Sequence, residues 1–343
     1  NTVELEDDNV AKPLHANAKN LRKVLLDSSK QFSEKPINPI DWEQSGYQPT
    51  PSTIDAATAL YGGHSVEEIT REDDHDRTFH ETVKTVDDII SHSKTNSKKS
   101  IIFVTGIPGS GKTLIGLNVA ANNQDKNERG VYLCGTESLV QVIQESLARD
   151  SSENSDFKIK KNGKPGKTRE ISVAKARSHV RTFFQFLPEF RKEAVQRDKA
   201  GDEKIAIFDE AQRMWSAQKV DQLLVKKKIL SKSSGKSESD HLMGYMDKHP
   251  DWAVIVCLIG GGQEIHDGED GAIEWFKSIQ NNFPHWDAYL PSIMNTQEYT
   301  INTTIENCLK NIHYTIDDKL HLTSSSRAWR SKSVSPFVDK LLA

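Results

Sequence analysis

Four clusters in this sequence hold residue types suited to managing phosphate and water. The first is Gly106-Ile107-Pro108-Gly109-Ser110-Gly111-Lys112-Thr113, a match to the GxxxxGK[ST] pattern. Glycines there let backbone N–H groups turn inward around phosphate oxygens, and a helix starting at the loop adds partial positive charge. Lys112 is expected to reach the β- and γ-phosphates, and the Thr113 hydroxyl to ligate Mg²⁺. Gly106, Pro108, Gly109, Ser110 and Gly111 complete the expected nucleotide cradle.

The second cluster is Asp209-Glu210-Ala211-Gln212, reached directly from the apolar run Ile205-Ala206-Ile207-Phe208. Asp209 is expected to hold Mg²⁺, directly or through water. Glu210 is expected to polarise the attacking water, a task that suits hydrolysis more than phosphate transfer to a small molecule. The third is Gly260-Gly261-Gly262-Gln263, after the run AVIVCLI. A side-chain amide both donates and accepts, so Gln263 can sense a γ-phosphate or the attacking water. The fourth is Arg327, with Arg330 in reserve, near the C-terminus. An arginine across the nucleotide can neutralise charge that develops in the transition state.

Other chemistries find little support. Twelve histidines give neither HExxH nor a Cys/His ligand set and read as surface or structural residues. Three cysteines form no CxxC pair, and Cys134 and Cys257 lie within apolar runs, as buried thiols of a reducing, cytoplasmic compartment would. The longest apolar stretch, residues 253–259, is far below the roughly 20 residues of a membrane span. The N-terminus opens NTVELEDD, acidic and polar, unlike a signal peptide, and its lack of Met is what a trimmed sequence shows.

The elements that must position these clusters are legible as alternation. Residues 101–105, 130–134, 205–208 and 253–259 are short apolar runs separated by helical segments. That pattern predicts a parallel sheet covered on both faces. Residues 114–121 read as the helix after the phosphate loop. Upstream, residues 1–99 read as a mostly helical segment. Within it, 52–61 is a capped helix with Ile54, Ala57 and Leu60 on one face. Residues 81–93 repeat the pattern with Val83, Val86, Ile89 and Ile90, and 93–100 reads as a polar linker.

The net charge of −4 excludes a wholly basic nucleic-acid coat, but the charge is uneven. Residues 151–200 carry net +7 and residues 219–236 net +5, leaving −16 elsewhere. KIKKNGKPGKTR (158–169) reads as a mobile loop and KKKILSKSSGKSES (226–239) as a second loop. Both fit solvated insertions as well as contact with nucleic acid.

The order of these motifs resembles the Schlafen group 3-like DNA/RNA helicase domain family, proteins related to superfamily 1 helicases. The resemblance runs from about residue 42 to 343. It rests on YQPTPSTIDAATALYGGHSVEEIT (47–70), FVTGIPGSGKTLIGLNVA (103–120), VYLCGTESLVQVIQESLARD (131–150), IFDEAQRMW (207–215), WAVIVCLIGGGQEIHDGEDGAIEW (252–275) and SSSRAWRSKSVSPFVDKLLA (324–343). It implies that Gly106–Thr113 is motif I, that Asp209–Gln212 is motif II, that Gln263 lies in motif III and that Arg327 is the motif IV arginine. It also makes Gln48 a candidate adenine reader and puts Cys134-Gly-Thr-Glu-Ser138 at motif Ia. There the sequence departs from an expected SGNGP, and Glu137 is a poor neighbour for phosphate. No motif V or VI follows Arg327, so a second RecA-like half either lies outside this sequence or is dispensed with.

These readings converge on an α/β, RecA-like P-loop NTPase with a parallel sheet flanked by helices and a helical N-terminal segment. The expected division is 1–99 for that segment and 100–343 for the motor domain, with basic insertions at 151–170 and 226–239. The expected function is Mg²⁺-dependent ATP hydrolysis coupled to DNA or RNA. By family association it extends to antiphage defence or DNA processing beside a partner protein or nuclease effector. The alternative is an ATP-dependent switch or assembly module that controls a partner without translocation.

Overall fold

The computed structural model describes residues 17, 19–29, 52–63, 74–124, 128–153, 173–260, 271–296 and 305–323. Two compact units divide the chain: Asn1–Thr50 with Arg330–Ala343, and Pro51–Trp329. In the first, the described residues form one helix, α1 (Leu21–Ser29), with Leu21 and Leu26 exposed.

The second unit is organised by strands that are apolar on both sides. In β1 (Lys99–Gly106) every residue after Lys99 is buried. Ile101 and Phe103 join one apolar cluster, while Ile102 and Val104 join another. Successive side chains point to opposite faces, so such a strand is stable only with helices on both. β2 (Arg129–Cys134), β4 (Glu203–Phe208) and β5 (Ala253–Gly260) divide their side chains in the same way. Among the described residues the sheet has eight strands in the order β3-β2-β4-β5-β1-β6-β7, with β8 beside β1. The remaining strands are β3 (Phe184–Phe186), β6 (Asp287–Leu290), β7 (Tyr314–Ile316) and β8 (His321–Leu322). Every pairing is parallel.

One face is covered by α2 (Thr53–Tyr61), α3 (Asp74–Thr95), α4 (Lys112–Asn122), α5 (Glu137–Glu153) and α6 (Val173–Phe183). The other is covered by α7 (Leu187–Gln196), α9 (Glu238–Met246), α10 (Ile273–Asn282) and α11 (Ile305–Cys308). The helix α8 (Ala217–Lys226) follows β4 and buries Val220 and Leu224. The start of α2 is fixed as the sequence predicts: Ser52 and Asp55 form a reciprocal capping box. No helix among the described residues is long and apolar enough to cross a membrane.

Two local expectations change. The polar stretch 93–100 is no linker, because α3 runs to Thr95 and β1 begins at Lys99. Ser93 and Ser100 are fully buried and share a 2.7 Å hydroxyl hydrogen bond, while Ser93 also donates to the Ile89 carbonyl. The stretch 226–239 is a loop only in part, since α9 starts at Glu238. What remains is held by the buried Asp221 carboxylate, which accepts from the Ser233 and Ser234 hydroxyls and from the Ser234 and Gly235 amides. Burial opposes ionisation of Asp221, but these four donors prevail and hold its carboxyl well below the usual range. Lys226, Lys227, Lys228, Lys232 and Lys236 are exposed on this tied-down segment. The basic run 158–169 lies outside the described residues.

Candidate functional site

The phosphate loop joins the end of β1 to α4. Gly109 and Gly111 have φ of 79° and 95°, left-handed values that disfavour a Cβ. A Cβ at Gly106 would lie 2.5 Å from Ser110 Oγ and 2.8 Å from Leu322 Cβ, so the turn closes only around glycine. Phe79 of α3 packs against Gly111 from outside. Lys112 begins α4, and its ammonium donates to the carbonyls of Gly106 (2.5 Å) and Ile107 (3.0 Å). Burial pushes the Lys112 ammonium below the ordinary lysine value, against the opposing pull of Glu210 and Asp209. Ser110 Oγ is buried within the loop without a hydrogen-bond partner.

The second acid cluster stands where β4 ends. β4 and β1 are separated only by β5, so the loops leaving the three strands adjoin. This is the carboxyl edge of a parallel sheet, where such folds bind ligands. The Asp209 amide donates to the Leu133 carbonyl, which continues the ladder one residue beyond β4. Burial pushes the Asp209 carboxyl up to about 6, partly countered by the Tyr132 hydroxyl. Glu210 has φ 52° and ψ 44°, left-handed for a residue that is not glycine. Such strain persists only where surroundings impose it. Here a short 3₁₀ turn (Ala211–Arg213) follows at once, and the Trp275 indole donates to the Ala211 carbonyl at 2.9 Å.

Gln212 gains a role that its place in the motif does not announce. It is 4% exposed, its amide donates to Glu210 Oε2 at 2.5 Å, and its oxygen accepts from the Gly260 amide at 3.2 Å. One side chain thus ties the second acid to the end of β5. Gly260 is also paired with Gly106 across the β1–β5 ladder.

The structure therefore brings Gly106, Pro108, Gly109, Ser110, Gly111, Lys112 and Thr113 together with Asp209 and Glu210. Gln263, Arg327 and Gln48 lie outside the described residues. At the expected motif Ia, Glu137 is exposed at the start of α5, and the Thr136 amide faces Cys134 Sγ at 3.4 Å. Cys134 is buried in the apolar cluster under α4, and that burial pushes its thiol up. No group of three or more His, Cys, Asp or Glu among the described residues could hold a metal.

A parallel α/β sheet with a GxxxxGKT turn on one strand and an Asp-Glu pair two strands away defines a nucleotide-binding P-loop domain. More particularly, the chain belongs to the Schlafen group 3, DNA/RNA helicase domain family, which it matches over residues 99–343. No curated protein matches it. Among solved structures it is similar to the helicase domain of Pyrococcus furiosus Hef, at 17% identity and a TM-score of 0.31. That likeness covers 62% of this chain and 38% of that one.

Proposed function

We propose that this domain hydrolyses ATP with Mg²⁺ and couples turnover to work on DNA or RNA. The observation that carries the reading is the meeting of the Gly106–Thr113 turn with Asp209 and a strained, Gln212-tethered Glu210. The residues present fit the nucleotide and its ion. Ser110 Oγ is a buried polar atom with no protein partner, inside a loop that a Cβ at Gly106 would fill. Thr113 and Asp209 offer the hard oxygen donors that Mg²⁺ prefers, alongside substrate phosphates. When bound, the ion would offset charge on the phosphate oxygens.

In this reading Lys112 turns from the Gly106 and Ile107 carbonyls to the β- and γ-phosphates. Thr113 and Asp209 hold Mg²⁺. Glu210 orients the attacking water and accepts its proton at the carboxylate. Gln263 senses the γ-phosphate, Arg327 steadies developing charge, and Gln48 reads adenine. The exposed lysines at 226–236 supply part of a phosphate-backbone surface, with 158–169 as a second part. A defence or DNA-processing role beside an effector protein in the cytoplasm is the wider reading.

The test is ATP hydrolysis by the parent and by Lys112→Ala, with and without single-stranded DNA or RNA. The parent should hydrolyse ATP and be stimulated by nucleic acid. Lys112→Ala should lose turnover while its thermal midpoint holds, because it removes a charge-assisted interaction rather than core packing. Parent-like hydrolysis by Lys112→Ala would refute the site. Hydrolysis indifferent to nucleic acid would favour the switch alternative.

A further inference from the structure

Tyr132 sits in the middle of β2 and is 1% exposed. Its ring is stacked on Phe184 of β3, with centroids 4.9 Å apart and planes 13° apart. On its edge it meets α4, where a Cβ at Gly116 would come within 2.8 Å of Tyr132 Cε2. The ring is therefore clamped between a strand and a helix, with no room to swing.

Register says where the hydroxyl goes. Tyr132 pairs with Ile207, and both face the cluster that α4 covers. Asp209 is two residues beyond Ile207, so its side chain leaves the sheet on the same face. Thr113 is three residues before Gly116, so it lies on the same side of α4, one turn toward the phosphate loop. The two lines meet at Tyr132 Oη, which interacts with both the Asp209 carboxylate and the Thr113 hydroxyl. Neither approach has the geometry of a completed hydrogen bond, and Oη is otherwise without a partner although buried.

We propose that Tyr132 is the positioning residue of the metal site: Thr113 donates to Tyr132 Oη, and Tyr132 donates to Asp209. This rests on the reading of Thr113 and Asp209 as the Mg²⁺-holding pair. The chain of donors directs the Thr113 proton away from the ion and leaves an oxygen lone pair free for it. It also fixes the orientation of a carboxylate that would otherwise have few buried partners. Groups that orient metal ligands in this way typically change metal affinity by about 10- to 100-fold when removed. Tyr132 is 1% exposed and meets the site only through Thr113 and Asp209, so its effect should appear in metal dependence and not in nucleotide recognition.

Tyr132→Phe removes one oxygen and keeps the ring. Binding of a fluorescent ATP analogue would be titrated with Mg²⁺, and separately measured in EDTA, for parent and variant. The Mg²⁺ concentration for half-maximal enhancement should rise roughly tenfold. Affinity in EDTA should stay within about twofold, and the thermal midpoint without ligand should hold, because the ring and its stack on Phe184 are kept. Phe184→Leu, which loosens the stack but keeps the hydroxyl, should lower the midpoint. An unchanged Mg²⁺ requirement in Tyr132→Phe would overturn the proposal. So would a variant that fails to fold, or one that loses affinity equally with and without Mg²⁺, since each makes the hydroxyl structural. If the parent itself shows no Mg²⁺-dependent nucleotide binding, the underlying site reading fails instead.

Discussion

Replacing Glu210 by Gln separates the two acids of the site. Its backbone is left-handed at φ 52°, and Gln there inherits the same conformation at the same cost. The Gln212 amide that now donates to Glu210 Oε2 would find a neutral amide oxygen in the same place. A charge-assisted bond becomes an ordinary one, which destabilises the fold by about 1 kcal/mol. In a domain of this size that lowers the midpoint by roughly 2–4 °C. Asp209, which lies beside it, keeps its own carboxylate. Nucleotide affinity should therefore be equal to the parent's or tighter, because a negative charge has left the neighbourhood of the phosphates. With Glu210 as the proposed acceptor of the water proton, turnover should fall by about 10²-fold or more. Equilibrium binding of labelled ATP and single-turnover phosphate release measure the two quantities separately. Equal decreases in affinity and turnover would mean that Glu210 supports the loop rather than the chemistry. Turnover within about threefold of the parent would refute its role outright, being far from the effect of removing a general base.

Two further outcomes concern other parts of the chain. Replacing Lys226, Lys227, Lys228, Lys232 and Lys236 with Ser should weaken nucleic-acid binding alike across sequences. Each lysine–phosphate pairing removed should flatten the log–log salt dependence by about 0.7 to 0.9, and an unchanged slope would return these lysines to plain solvent. Burial, and then the neighbouring Asp88, push the Asp87 carboxyl on α3 up to about 6 from 3.8. A raised folded value means that ionisation opposes folding, so this penalty is absent at low pH and grows as pH rises from about 4 through 6. Asp87→Asn should stabilise the protein by about 1 kcal/mol at pH 7.5, after discounting for its partial exposure, and flatten that slope. Urea midpoints at pH 4 and 7.5 decide it, and a less stable variant at pH 7.5 would be the contrary result.

The sheet is readable where burial on both faces leaves no polar residue to interrupt a strand. β5 is buried at all eight positions, and its run of apolar residues announces it. The strands without a sequence signal are short: β3 and β7 have three residues, β6 four and β8 two. Nothing periodic can be seen in so few positions, and their pairing is decided by partners far away in sequence. Ser93 and Ser100 depart from expectation for a different reason. Two polar residues look like solvent-facing chain, yet each supplies the other's hydrogen bond inside the core, so burial costs neither.

The same logic explains which parts of the site are visible in the sequence. Gly106–Thr113 is legible because its turn admits few residue types: Gly109 and Gly111 hold left-handed φ, and Gly106 has no room for a Cβ. The supports of the site carry no such signature. Gln212 stands inside a recognisable motif, but its work is to join Glu210 to Gly260, a residue 48 positions away. Tyr132 reads as one more aromatic in an apolar strand, and its ring carbons behave as that reading says. Its oxygen matters only once β2 lies beside β4 in the register that pairs Tyr132 with Ile207 and sends Asp209 out on the same face. A one-residue slip in that register would turn Tyr132 away from Asp209 and leave every motif letter unchanged. The chemistry of this domain is thus spelled in its loops, while its precision is set by strand pairing that no local pattern records.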